Sequence, residues 1–290
     1  ARVWSFFNHW QKGFDRYLPW ALGKDANAED MPLWIVPDRK LSVHDVEMCM
    51  RDHYEGTALA LDSTNVGGGV YQMPYRPTPL TYKVDGKEYF NERPVSTQQT
   101  AFTFVSQLRS WLPNEIGGIL WFGNDDANMV AYTPVYCGNT VQPECYNTPG
   151  ADAVTYSDKN AFWVCNWVSN MVYPRYSQLF PELKAVRDSL DMSYFAAQKE
   201  IEAKAQVLYA SSKAEAVKYL NTYSNDKAQQ MLAAWHDLGR LLIVKYNDMA
   251  VKKTKDGKLT RSVTRPGYPA SFAKKLVKET GDWYAVPEKK

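Results

Sequence analysis

Two apolar stripes organise the second half of the chain. Leu183, Val186, Leu190, Tyr194, Ala197, Ile201, Ala205 and Leu208 recur every three or four positions, and Met231, Trp235, Leu238, Leu242 and Tyr246 repeat the pattern. That spacing lays each set along one side of an α-helix. A shorter helix is expected around Phe272 to Val277, ahead of a polar end.

The first half is less regular. In Leu41-Ser42-Val43-His44-Asp45-Val46, Ser42 can accept from the third backbone N–H of a helix while Asp45 reaches back. A helix is therefore expected to about Tyr54, stopping near Gly56. Ser96-Thr97-Gln98-Gln99 repeats that logic and predicts a helix with Phe104, Leu108 and Trp111 on one face, ended by Pro113. Ile119 to Phe122 and Met129 to Thr133 read as strands flanking the turn Gly123-Asn124-Asp125-Asp126-Ala127. The stretch from Asn65 through Gly67-Gly68-Gly69 to Pro74, Pro77 and Pro79 reads as a loop. No Lys-Ser/Thr follows its glycines, so it fails the Walker pattern. The pattern as a whole is α+β: a modest antiparallel sheet first, packed helices after.

Composition adds exclusions. The 290 residues are 45% hydrophobic and 23% charged, ordinary for a globular protein, and 34 Lys and Arg against 32 Asp and Glu leave a net charge of +2. That balance gives no reason to expect a nucleic-acid or membrane-surface partner. The lysines that thicken after Lys252 read as a solvated tail. No apolar run reaches transmembrane length. The opening Ala-Arg-Val-Trp-Ser is neither an initiator Met nor a signal peptide, so a processed or partial chain is expected. Ten Trp and 19 Tyr invite a carbohydrate-stacking reading, but rings such as Trp121, Trp167 and Trp235 fall in periodic segments where core packing explains them.

Candidate chemistry is sparse. Cys49, Cys137, Cys145 and Cys165 form no CxxC pair and no His stands at zinc-ligand spacing, so no metal is expected. Cys137 and Cys145 flank a turn and are candidates for a disulfide in an exported protein, whereas Cys49 and Cys165 read as buried thiols. His9, His44, His53 and His236 complete no HExxH motif, and no GxSxG elbow exists. Asp125 and Asp126 read as turn chemistry or a carboxylate pair. Arg51 and Asp52, at a helix end, read as a structural ion pair or as substrate-orienting groups.

Longer strings carry more. Leu41-Ser42-Val43 leading into Met50-Arg51-Asp52-His53-Tyr54-Glu55-Gly56-Thr57 resembles a signature of the peptidase C69 dipeptidases, relatives of the secernins. The resemblance continues through Pro74-Tyr75-Arg76, Asn91-Glu92-Arg93-Pro94-Val95-Ser96, Ser106 to Pro113, Gly118 to Ala127, Tyr132 to Gly138, Phe162 to Asn170 and Tyr173-Pro174-Arg175-Tyr176. It spans about residues 33 to 180.

The resemblance implies an N-terminal-nucleophile hydrolase of four-layer αββα fold. In such an enzyme an amino-terminal cysteine attacks dipeptides, with its own α-amine as base and no cofactor. Residue 1 here is Ala, and the family places its nucleophile in an amino-terminal segment. The expected partner is thus the N-terminal portion of the same protein, this chain alone being inactive. A homo-oligomer is compatible with the sequence. Residues 1–178 would be the C-terminal part of the αββα domain, and residues 179–290 a helical region packed on it.

Among site residues, Asn124 is expected to contact the oxyanion or a substrate terminus, and Arg93 to stabilise the nucleophile or the substrate carboxylate. Asp125, Asp126, Arg51, Asp52 and Arg76 are expected to bind substrate. Export to the periplasm or outside is expected, with a cytoplasmic location as the alternative. A catalytically inactive scaffold that keeps the hydrolase fold is the competing reading.

Overall fold

Capping, turns and burial divide the chain as follows in a computed structural model that describes residues 1–62, 68–76 and 80–288. Helices are α1 (Arg2–Asn8), α2 (Leu18–Leu22), α3 (Val43–Met50), α4 (Asn114–Gly117), α5 (Ala161–Val172), α6 (Tyr176–Ser211), α7 (Lys213–Lys245) and α8 (Ala270–Thr280). Strands are β1 (Thr81–Val84), β2 (Lys87–Phe90), β3 (Phe102–Leu108), β4 (Gly118–Asn124), β5 (Thr133–Tyr136), β6 (Val251–Lys255) and β7 (Lys258–Thr264). Parts of the expected loop from Asn65 to Pro79 lie outside the described residues.

The capping box is present at α3: Ser42 accepts from Asp45 N–H while the Asp45 carboxylate accepts from Ser42 N–H at 2.8 Å. The two long stripes fold as α6 and α7, and the boundary expected at 178 falls inside α6. These helices pack side by side. At Gly239 of α7 any Cβ would meet the Trp167 ring of α5 at 2.3 Å, so only glycine allows that approach.

The central sheet runs β3-β4-β5, antiparallel throughout, with Phe104 opposite Phe122 and Trp121 opposite Pro134. Alternation decides its faces. Thr103, Val105, Ile119, Trp121 and Tyr136 point into the core, where Trp121 lies 4.6 Å from the Phe195 ring of α6. The opposite face carries Phe102 (55% exposed), Phe104 (47%), Leu108 (75%) and the half-buried Leu120, Phe122 and Val135. The Tyr146 ring packs on Phe122 at 4.9 Å, and Gln142 and Pro143 line a pocket over Leu120 and Val135, so the exposed part of this face is Phe102, Phe104 and Leu108. Two further hairpins, β1–β2 and β6–β7, are antiparallel and separate from this sheet.

Several expectations are corrected. The helix predicted after Ser96 is strand β3, because Phe102 and Phe104 alternate with Thr103 and Val105 and Ser96 spends its hydroxyl on Asp126 instead of a helix end. The second strand starts at Thr133 rather than Met129. Val130 O accepts from Arg51 and Tyr132 N–H donates to Asp191, so that backbone is bonded to side chains and not to a ladder. Cys137 and Cys145 are free thiols: Cys137 ends the sheet beside Gly118, while Cys145 is buried in a 3-10 turn.

Candidate functional site

Where α3 ends, the chain turns inward, and Arg51, Asp52, His53 and Tyr54 are all buried. A buried guanidinium has to find acceptors. Arg51 donates to Ala127 O at 3.2 Å, Val130 O at 3.1 Å and Asp191 Oδ2 at 2.7 Å, and lies over the Tyr132 ring. It therefore ties α3 to the segment after β4 and to α6. Its Nη1 is buried without a partner among the described residues.

Asp52 faces the other way. Its Oδ2 accepts from Ser5 Oγ at 2.5 Å, and its Oδ1 accepts from Tyr54 N–H at 3.1 Å and meets His9 Nε2 at 3.2 Å. That contact with Asp52 outweighs burial and raises the pKa of His9. The Asp52 carbonyl accepts from Ser96 N–H, and Ser96 in turn bonds Asp126 and Asn128 N–H. Asp126 also accepts from the Tyr75 and Tyr173 hydroxyls. Asp125 accepts from Ser169 Oγ at 2.6 Å and Asn166 Nδ2 at 3.1 Å, while burial pushes its carboxyl up to about 7. Tyr54 and Asp125 both hold positive φ, 67° and 85°, at zero exposure. Asp tolerates that region in turns, but a bulky residue such as Tyr54 rarely sits there, and such strain concentrates at functional sites.

Above this network opens a cleft of about 420 Å³, walled by His9, Cys49, Arg51, Asp52, Asn128 and Arg187 among others. Arg187 donates to both the carbonyl and the side-chain oxygen of Asn128 at 2.7 Å, which holds the Asn128 amide toward the Tyr176 hydroxyl at 2.9 Å.

The residues singled out in the sequence fall in three places. Arg51 and Asp52 line the cleft, but they do not pair with each other, because consecutive residues at a helix end point apart and Arg51 takes Asp191. Asp125 and Asp126 lie fully buried beside it, with Ser, Asn and Tyr donors on their carboxylates, and brace the turn. Asn124 closes β4 opposite Phe102, with its Oδ1 buried and unpartnered among the described residues. The Arg93 carbonyl accepts from the Tyr54 hydroxyl at 2.6 Å, which brings the segment after β2 against the site. Arg76 donates to Leu61 O at 2.8 Å and Tyr75 O at 3.1 Å.

Sequence reading missed Ser96, Asn128, Arg187 and Asp191. The last two carried a signal: two opposite charges four apart, on the edge of the apolar stripe that α6 buries.

The thiols are informative as a set. Burial raises the pKa of Cys49 to about 11 and of Cys145 to about 12, and raises those of Cys137 and Cys165 as well. A thiol held protonated is a poor nucleophile. Among the described residues no three His, Cys, Asp or Glu side chains gather to hold a metal ion, and no helix is long and apolar enough to cross a membrane.

Comparison with known proteins adds a family. The model of peptidase family C69 matches residues 1–189. A probable dipeptidase of Latilactobacillus sakei is 23% identical over 79% of this chain and 45% of its own length. A probable dipeptidase B of Lactococcus lactis subsp. lactis is 21% identical over 79% and 43%, and one of Streptococcus pyogenes serotype M1 is 24% identical over 71% and 39%. The chain spans less than half the length of these relatives.

Proposed function

The chain belongs to peptidase family C69, and on that premise we propose that it forms the C-terminal portion of a cysteine dipeptidase whose attacking thiol is supplied by an upstream portion of the same protein. The observation that carries this reading is the state of the chain's own cysteines: burial raises the pKa of all four. The exposed apolar side chains Phe102, Phe104 and Leu108 on one face of the sheet support it, since a second sheet packed there would complete an αββα stack.

In the proposed reaction the upstream α-amine takes the thiol proton, and sulfur attacks the peptide carbonyl. The C–N bond breaks with proton return to the leaving amine, and water then cleaves the thioester. This chain supplies the wall. The Asn124 amide donates to the developing oxyanion, and Arg93, whose guanidinium has no partner among the described residues, balances its charge. Arg51, whose Nη1 has no partner among the described residues, and Asp52 receive the charged ends of a dipeptide in the cleft, while Asp125 and Asp126 hold the turn that presents Asn124.

The test is dipeptide hydrolysis by protein containing both portions, with each wall residue changed in turn. Asn124→Ala and Arg93→Ala are expected to lower kcat, and Arg51→Met to raise KM. Unchanged kinetics in all three would remove this region from the active site.

A further inference from the structure

The net charge of +2 conceals a division. Residues 1–250 hold 23 Lys and Arg against 28 Asp and Glu, whereas residues 251–288 hold nine against four. The basic stretch comprises β6, β7 and α8.

Within α8 the division is sharper still. At 100° per residue, Lys274, Lys275 and Lys278 share one half of the helix with Ser271 and Glu279, and Phe272, Ala273, Leu276 and Val277 occupy the other. No residue of α8 is buried. Leu276 is 41% and Val277 58% exposed, and the turn that follows presents Trp283 and Tyr284 at 83% and 74%. The Tyr268 ring packs, tilted, 4.4 Å from Phe272 and widens the apolar half.

We propose that α8 with Trp283 and Tyr284 is a docking surface for a lipid bilayer carrying anionic headgroups. Each part of the surface has a use there. The lysines meet headgroup phosphates, Phe272, Leu276 and Val277 enter the acyl boundary, and Trp283 and Tyr284 sit at headgroup level, where amphipathic rings are favoured. A nucleic acid would engage the lysines but leave the apolar half in water. Lys253, Lys255, Lys258 and Arg261 of the preceding hairpin add positive charge to the same stretch of chain, whereas residues 1–250 carry more acids than bases. The surface is independent of the proposed dipeptidase chemistry.

The test is co-sedimentation of the whole chain with vesicles of phosphatidylcholine alone and of phosphatidylcholine with phosphatidylglycerol. At low ionic strength the chain is expected to bind the anionic vesicles at least ~10-fold more tightly, and to lose that preference in high salt. Lys274→Glu/Lys275→Glu/Lys278→Glu and Leu276→Ser/Trp283→Ser should each abolish binding without moving Tm, since α8 buries nothing. Failure to sediment with anionic vesicles, or sedimentation that survives the charge reversal, overturns the proposal. A dimer by light scattering that the serine variant dissolves, in the absence of vesicle binding, would give the face to a second copy instead.

Discussion

Arg51 and Asp191, 140 positions apart, meet at 2.7 Å with each side chain only 1% exposed. This ion pair joins the end of α3 to the middle of α6. It also fixes the segment after β4, because Arg51 binds the Ala127 and Val130 carbonyls and Asp191 binds Tyr132 N–H.

Removing one partner leaves a buried charge uncompensated. Arg51→Met is expected to cost about 3–5 kcal/mol, and Arg51→Met/Asp191→Leu to recover most of that loss. Urea unfolding of the wild type, both single variants and the double variant measures the coupling. A loss in the double variant equal to the sum of the two single losses would mean the pair contributes nothing beyond its separate contacts.

Stability is expected to fall as pH rises through neutrality. Glu47 is fully buried, its carboxylate 3.6 Å from His44 and without a hydrogen bond, and burial pushes its pKa up to about 7. Asp125 is pushed up to about 7 in the same way. Both acids bind protons more tightly folded than unfolded, so the stability they contribute is complete below the ordinary carboxylate range and lost as pH passes about 7. Glu47→Gln should flatten the profile by on the order of 3 kcal/mol. Thermal melts between acid and mildly alkaline pH check the sign, and a Tm that climbs with pH would refute it.

The exposed β3 side of the sheet offers a separation of stability from assembly. Phe104 is 47% exposed, so Phe104→Glu should change the stability of this chain by no more than about 0.5 kcal/mol. Binding of a separately expressed upstream portion should nevertheless weaken at least ~10-fold, because a charge would enter an apolar interface. Surface plasmon resonance reads the affinity, and circular dichroism confirms the fold. Undiminished affinity would place the contact elsewhere.

For Asn124, loss of an oxyanion donor predicts a fall in kcat of ~10²–10³-fold with KM nearly unchanged in Asn124→Ala. Steady-state kinetics separates the cases. A rise in KM at constant kcat would make Asn124 a binding residue only.

How legible all this was in the sequence depended on where each pattern lived. Local signals were readable: the Ser42/Asp45 capping box, the stripes of α6 and α7, and the strand at Ile119 to Phe122. The Ser96 stretch misled because one string suits either a helix cap or a carboxylate bond, and the partner that decides, Asp126, is 30 positions away. The site was half legible. Arg51 and Asp52 could be picked out as charges at a helix end, but Asp191, Ser5 and His9 reach them only through tertiary packing. The positive φ of Tyr54 had no signal, whereas that of Asp125 had a weak one, since Asp tolerates the left-handed region in turns.

The central claim is that the reacting sulfur comes from outside this chain while its residues shape the pocket. Amino acids released from a panel of dipeptides should be quantified for residues 1–290 alone and for the same chain combined with its upstream portion. The account predicts no release from the chain alone and turnover once the two are joined. Release by residues 1–290 alone, abolished by replacing one of its own four cysteines, would contradict it.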